Sequence, residues 1–194
     1  TYSWNTTPVQ TTAAAINLSA GSYTVTVSDL NLCTATISVT ITEPPALTAT
    51  ISAQTNISCS GGNNGSATVS SGGGNPGYTY SWNTVPVQTT ATATALAVGT
   101  YTVTVTDLNS CTVTTSVTIT SSPLLIVNAT ASSMNICPGN TTNLTAAVAG
   151  GTGSYSYSWS NGSIVSSQTV TPLLTTNYTI TVTDANGCTS VAVV

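Results

Sequence analysis

The stretch Tyr101-Thr-Val-Thr-Val-Thr-Asp-Leu-Asn-Ser-Cys111 decides how this chain folds. Its first six residues alternate, so Tyr101, Val103 and Val105 share one face of a β-strand. An Asp-Leu-Asn turn follows, and then a cysteine. The unit recurs as Tyr23-Thr-Val-Thr-Val-Ser-Asp-Leu-Asn-Leu-Cys33 and as Tyr178-Thr-Ile-Thr-Val-Thr-Asp-Ala-Asn-Gly-Cys188. A tryptophan stands at one fixed distance ahead of each tyrosine: Trp4 before Tyr23, Trp82 before Tyr101 and Trp159 before Tyr178. The step from Trp4 to Trp82 and the step from Trp82 to Trp159 differ in length by a single position. Residues 1–42 align with 79–120 without a gap, and 31 of the 42 positions are identical, which biased composition alone does not produce. A period this long describes small domains in series rather than a solenoid of short units.

The repeat divides the chain into three: residues 1–43, the C-terminal part of a truncated module; residues 44–121, a complete module; and residues 122–194, a module nearly complete. Cys59 precedes Trp82, and Cys137 precedes Trp159, at almost the same distance, whereas the equivalent position ahead of Trp4 falls before Thr1. The expectation is therefore a window on a longer array. Glu43-Pro-Pro45 and Ser121-Ser-Pro123 read as short, stiff linkers, because proline pre-sets φ.

Within a module, short alternating strands separated by turn signals every 8–12 residues read as an antiparallel sandwich. The expected class is all-β: tandem immunoglobulin-like antiparallel β-sandwich modules in a linear array. Trp4, Trp82, Trp159, Tyr23, Tyr101 and Tyr178 are the expected core markers. Strands are expected over residues 9–18, 33–42, 47–58 and 66–70, with Val39 and Ile41 facing inward. Asn161-Gly162 signals a type I′ hairpin turn.

Composition excludes several functions. The chain has no Lys, Arg, His or Phe, and its only charged side chains are Asp29, Glu43, Asp107 and Asp184. Nucleic-acid binding and attachment to anionic membranes both rest on cations, so neither is expected. No apolar run approaches the length of a membrane-spanning helix. Without histidine there is no Ser-His-Asp or Cys-His arrangement and no His-ligated metal site. Two close carboxylates for glycoside hydrolysis are also lacking. No enzyme activity, catalytic residue or cofactor is expected.

Three features remain. Asp29, Asp107 and Asp184 are weak calcium candidates, but one carboxylate per module suits an Asx turn better, with the following Asn left-handed. The Tyr-x-Trp pairs suit a core better than a sugar-stacking platform. The five cysteines, all repeat-locked, imply an oxidising compartment. The favoured pairing stays within modules, Cys59–Cys111 and Cys137–Cys188, and leaves Cys33 for a residue upstream of the chain. The competitor, Cys33–Cys59 with Cys111–Cys137, sets two strands and a linker between the sulfurs. Nine Asn-x-Ser/Thr triplets would also admit glycans on an uncharged surface.

Tyr78-Thr-Tyr-Ser-Trp82, Val98-Gly-Thr-Tyr-Thr-Val-Thr-Val-Thr-Asp107, Cys111 and Ser116-Val-Thr-Ile-Thr120 resemble the SprB-type repeat of the very large surface adhesins of gliding Bacteroidetes. The third module, from Ile136-Cys-Pro-Gly139 through Gly150-Gly-Thr-Gly153 to Asp184-Ala-Asn-Gly-Cys188, is similar to the PKD-like or immunoglobulin-like repeats of the same secreted proteins. The resemblance implies type IX secretion, display at the cell surface or on a secreted filament, and a part in adhesion or gliding. It carries no catalytic residues. The expected partners are copies of the chain itself or neighbouring modules, with surface glycans as a further class. A self-assembling extracellular fibre with lateral β-edge contacts is the alternative, and a carbohydrate-binding accessory module the third.

Overall fold

A computed structural model describes residues 1–194 as fifteen strands without a helix. The Thr, Ser and Val content explains this: these residues fit a pleated surface and form helices poorly.

Residues 1–43 form one sheet, β1 (Tyr2–Trp4), β2 (Gly21–Ser28) and β3 (Thr34–Ile41), in that order and antiparallel. A central sandwich follows. Its strands are β4 (Thr48–Thr55), β5 (Gly65–Gly72), β6 (Thr79–Trp82), β7 (Thr92–Leu96), β8 (Gly99–Thr106) and β9 (Thr112–Ile119). They form a β4-β5-β7 sheet and a β6-β8-β9 sheet. The C-terminal sandwich repeats the plan with β10 (Ile126–Ala131), β11 (Thr142–Ala149), β12 (Ser156–Trp159), β13 (Ser167–Val170), β14 (Thr179–Thr183) and β15 (Thr189–Val193). Its sheets are β10-β11-β13 and β12-β14-β15. Three strands against three, antiparallel within each sheet, is an immunoglobulin-like arrangement.

The alternation of the opening stretch builds the core. Val103 and Val105 of β8 and Val117 and Ile119 of β9 point inward. There they meet Ala67 and Val69 of β5, Ala93 and Leu96 of β7, and Trp82. The second core is Val127, Leu144, Ala146, Trp159, Val170, Ile180 and Val182. Each tryptophan donates its indole N–H to a carbonyl of the following loop: Trp4 to Thr12 at 2.9 Å, Trp82 to Thr90 at 3.0 Å and Trp159 to Val165 at 2.8 Å. A buried ring thus keeps its one polar group satisfied.

The tyrosine markers are half-buried, and Tyr101 and Tyr178 pack at the margins of the two cores. Tyr23 and Tyr101 donate their hydroxyls to the carbonyls of Ser19 (3.0 Å) and Ala97 (3.2 Å), four residues upstream. This is the tyrosine corner of immunoglobulin-like folds, pinning the loop that enters the strand.

Four expectations are corrected. Residues 9–18 form no strand, because the β5 equivalent that would pair with them does not occur in residues 1–43. For the same reason Val39 and Ile41 are 45% and 37% exposed, whereas their counterparts Val117 and Ile119 are buried, and Trp4 is only partly covered. The strand expected over 47–58 ends at Thr55, with a register shift between Ile51 and Ala53. Beyond it the chain crosses to the other sheet, where Ile57 pairs in parallel with Ser121. At Asn161-Gly162 only the glycine has positive φ, 87°. With Gly162 N–H bonding Trp159 O and Trp159 N–H bonding Ser163 O, this is a type I turn closed by a left-handed glycine, not type I′.

Candidate functional site at the module junction

The Asp-x-Asn hairpin is the same object in all three copies. The Asp N–H bonds the Cys carbonyl at 3.0, 3.0 and 2.9 Å for Asp29, Asp107 and Asp184. Its carboxylate Oδ1 accepts the N–H groups of the Asn two residues on and the Cys four residues on, all at 2.8–2.9 Å. The left-handed residue is not the Asn, as expected, but the one after it: Leu32, Ser110 and Gly187, with φ of 65°, 64° and 80°. The loop is therefore a type I turn with a left-handed closing residue, which feeds the twist of the two strands. Each Asn and each Cys leaves the hairpin at a fixed place.

Asp107 and Asp184 carry a second set of contacts. Oδ2 accepts the N–H of Asn75 in one and Thr152 in the other, both at 2.9 Å. A Gly-Gly pair delivers these N–H groups. Gly73 and Gly74 have φ of 66° and 58°, and Gly150 and Gly151 both have 68°. A Cβ on Gly73 would lie 2.0 Å from Ala46 O, and one on Gly150 would lie 1.9 Å from Leu124 O. Gly74 and Gly151 in turn donate to the linker carbonyls of Pro45 and Pro123. The hairpin, the glycine turn and the linker are thus one hydrogen-bonded unit. Sequence reasoning missed the glycines. The signal was there: Gly73-Gly74 precedes Asp107 by the same interval as Gly150-Gly151 precedes Asp184.

Every polar neighbour of these carboxylates is a donor, whereas a calcium shell is built of oxygens. Asp107 is held below the ordinary value of 3.8. The N–H of Asn75 is the largest influence, burial opposes it, and the Cys111 and Asn109 N–H groups add to the lowering. For Asp184 burial is the largest single influence and acts upward, but the N–H groups of Cys188, Thr152 and Asn186 together outweigh it.

The C-terminal hairpin reaches across to the central sandwich. The side-chain amide of Asn186 donates to Ser58 O (3.2 Å), Ser122 Oγ (3.0 Å) and Thr152 Oγ1 (3.1 Å), so one amide touches both modules and the linker. Beside it, Cys188 is disulfide-bonded to Cys59, with Cα atoms 5.5 Å apart. The receiving edge is held by Ile57 N–H to Thr120 O (2.8 Å), Ser122 N–H to Ile57 O (3.3 Å) and Thr120 N–H to Asn56 Oδ1 (3.1 Å).

This bond overturns the within-module pairing. Cys59 is not joined to Cys111, nor Cys137 to Cys188; Cys33, Cys111 and Cys137 are exposed free thiols. The competing pairs, Cys33–Cys59 and Cys111–Cys137, do not form either. The reason is the direction of β9. Cys111 precedes β9, and the linker follows it. Eight residues at about 3.4 Å each place Cys111 about 27 Å from the pole where Cys59 sits. Turn cysteine and hairpin cysteine lie at opposite ends of each sandwich, so stacking brings a turn cysteine against the hairpin cysteine of the next module.

Two immunoglobulin-like sandwiches in series, joined by the one-proline linker Ser121-Ser-Pro123 and stapled at their junction, define a tandem repeat array. Residues 51–87 and 130–164 match the family model of the SprB repeat. The matched segments contain both turn cysteines; the Asp-x-Asn hairpins lie outside them. No curated protein matches the sequence. Among solved structures the chain is similar to the N-terminal eight Ig domains of Down Syndrome Cell Adhesion Molecule isoform 1.30.30, at 14% identity and a TM-score of 0.46. That match covers 99% of this chain and 31% of the other, so the chain spans about a third of that protein's length. Sidekick-1 Ig domains 1–4 give 13% and 0.36, over 90% of this chain and 57% of that one. Dpr2 Ig1-Ig2 in complex with DIP-Theta Ig1-Ig3 gives 11% and 0.34, over 100% and 87%. At these scores the fold assignment rests on the strand topology above.

Proposed function

We propose that this chain is a non-catalytic, load-bearing segment of an extracellular adhesin, a stalk that holds a more distal part of a longer protein away from a cell surface. The junction carries the reading. The Asn186 amide, through Ser58 O and the linker's Ser122, and the Cys59–Cys188 bond tie the C-terminal module to the central one. Modules that only needed to be tethered would require none of these, since inter-domain motion is the default for a short polar linker. The disulfide fits an oxidising, extracytoplasmic setting. The absence of Lys and Arg leaves no cleavage site for trypsin-like proteases, which suits an exposed filament. The match of residues 51–87 and 130–164 to the SprB repeat supports the adhesin reading.

Beads coated with the oxidised chain and pressed against glass or polysaccharide in an optical trap test the adhesive part. A stalk alone would behave like an albumin coat, and attachment above that level would assign adhesion to these modules themselves. Pulling the oxidised chain tests the mechanical part. The expected trace gains extension only from residues outside the Cys59–Cys188 loop, and reductant releases the two module-unfolding events held inside it. Full extension of that loop without reductant would sink the load-bearing role of the staple.

A further inference from the structure

The bonded pair is one instance of a geometry that the chain repeats. Cys59 opens a turn in which Gly62 N–H bonds Cys59 O at 3.0 Å and Gly61 has φ of 81°. Cys137, one module further on, opens the same turn: Asn140 N–H bonds Cys137 O at 3.0 Å, and Gly139 has φ of 81°. Both are type II turns, with proline at the favoured second position in the later copy. On the other side, Cys33 and Cys111 leave hairpins whose hydrogen bonds and left-handed closing residues reproduce those of Cys188. The docking asparagine is also repeated, as Asn31, Asn109 and Asn186. The three unbonded thiols are exposed at these positions. Each is presented by a backbone frame that, in its other copy, holds half of a disulfide.

We propose that the cysteines form a ladder of inter-module staples, in which the turn cysteine of each module bonds the hairpin cysteine of the module that follows. Cys137 is then the acceptor for a following module. Cys111 and Cys33 are the hairpin halves for turn cysteines of the modules before theirs. The partner of Cys33 is accordingly a cysteine of a neighbouring module, not of its own. Each rung forms by joining two thiols. An external disulfide, such as oxidised glutathione or a disulfide oxidase, takes up the two electrons and two protons and is reduced to two thiols. Because hairpin and turn occupy opposite poles, no rung competes with another, and the array can be oxidised along its whole length.

Two extended chains test this at opposite ends. Thr1 aligns with Thr79, so a copy of residues 46–78 fused ahead of Thr1 completes the first module and adds a second turn cysteine. After refolding in a glutathione redox buffer and digestion with chymotrypsin, non-reducing mass spectrometry should find the added cysteine joined to Cys111. Cys59–Cys188 should persist, and only Cys33 and Cys137 should alkylate. Val194 aligns with Val117, so a copy of residues 118–194 fused after Val194 completes the last module and adds a following one. There Cys137 should join the added hairpin cysteine. The two fusions fail independently if either does not fold. The added turn cysteine joined to Cys33, or Cys137 joined to the hairpin cysteine of its own module, overturns the ladder. So does the added turn cysteine of the first fusion, or the added hairpin cysteine of the second, remaining alkylatable in a folded, oxidised chain. In the unextended chain the expectation is three maleimide-reactive thiols.

Discussion

At the scale of residues, the glycine pair and the aspartate it wraps carry the most consequence. Gly150→Ala forces a Cβ to 1.9 Å from a backbone carbonyl at a position with φ of 68°. Neither the linker nor the turn can yield without breaking the bonds to Asp184, so a loss of about 3 kcal/mol is expected, read as a lower urea midpoint. The opposite sign is expected at Ser110, where a non-glycine residue occupies the left-handed closing position at φ of 64°. Ser110→Gly should stabilise by roughly 1 kcal/mol, because the Cβ–carbonyl clash outweighs the added chain entropy of glycine. Asp107 and Asp184 set the response to acid. Their carboxyls sit below 3.8 in the folded state, so the unfolded chain takes up protons first. Their stabilisation is fully present above about pH 5 and is lost as the pH falls below 3.8 through the depressed values. Melting temperature followed by circular dichroism from pH 6 to pH 2 should drop in that window, and the drop should shrink in Asp107→Asn. The aspartates and their turn were legible in the sequence from the Asp-x-Asn spacing. Their second oxygen was not, because the donor that meets it lies 32 residues upstream.

At the scale of elements, the alternating strand was legible because a period of two leaves only one way to bury Val103 and Val105 against a facing sheet. Trp82 anchors that packing, 1% exposed and hydrogen-bonded at its indole. Trp82→Ala should cost about 3–5 kcal/mol, measured by denaturant unfolding. Residues 9–18 show the limit of the same logic. Their sequence resembles that of residues 87–96, which include β7, yet they form no strand. A strand needs a neighbour for its N–H and C=O groups, and β7 finds it in β5. Propensity described what the segment could do, and pairing decided whether it did. The crossing at Ile57 was illegible for a related reason: the apolar alternation runs on past the point where the strand changes sheet.

At the scale of the whole molecule, the junction decides whether two sandwiches behave as beads or as a rod. Closing a loop of 129 residues is worth about 5 kcal/mol in a chain-entropy model. Each sandwich nevertheless has its own core, so reduction should release their mutual orientation rather than unfold them. Small-angle scattering with and without reductant should show a broadened distribution of intramolecular distances, while circular dichroism stays unchanged. A cooperative loss of strand signal on reduction would show that the bond supports the cores as well. Cys188→Ser should reproduce the reduced state. What the sequence by itself determined is the repeat, the all-β class, the inward faces of β8 and β9 and the hairpin at each aspartate. All of these follow from local spacing, from the two-residue period of a strand and from the turn chemistry of Asp, Asn and Gly. Only the tertiary structure decided which cysteine meets which. Spacing along a chain does not say at which pole of a sandwich a residue lies. That depends on the direction of each strand, and β9 carries the chain about 27 Å from Cys111 to the pole where the next module's hairpin docks.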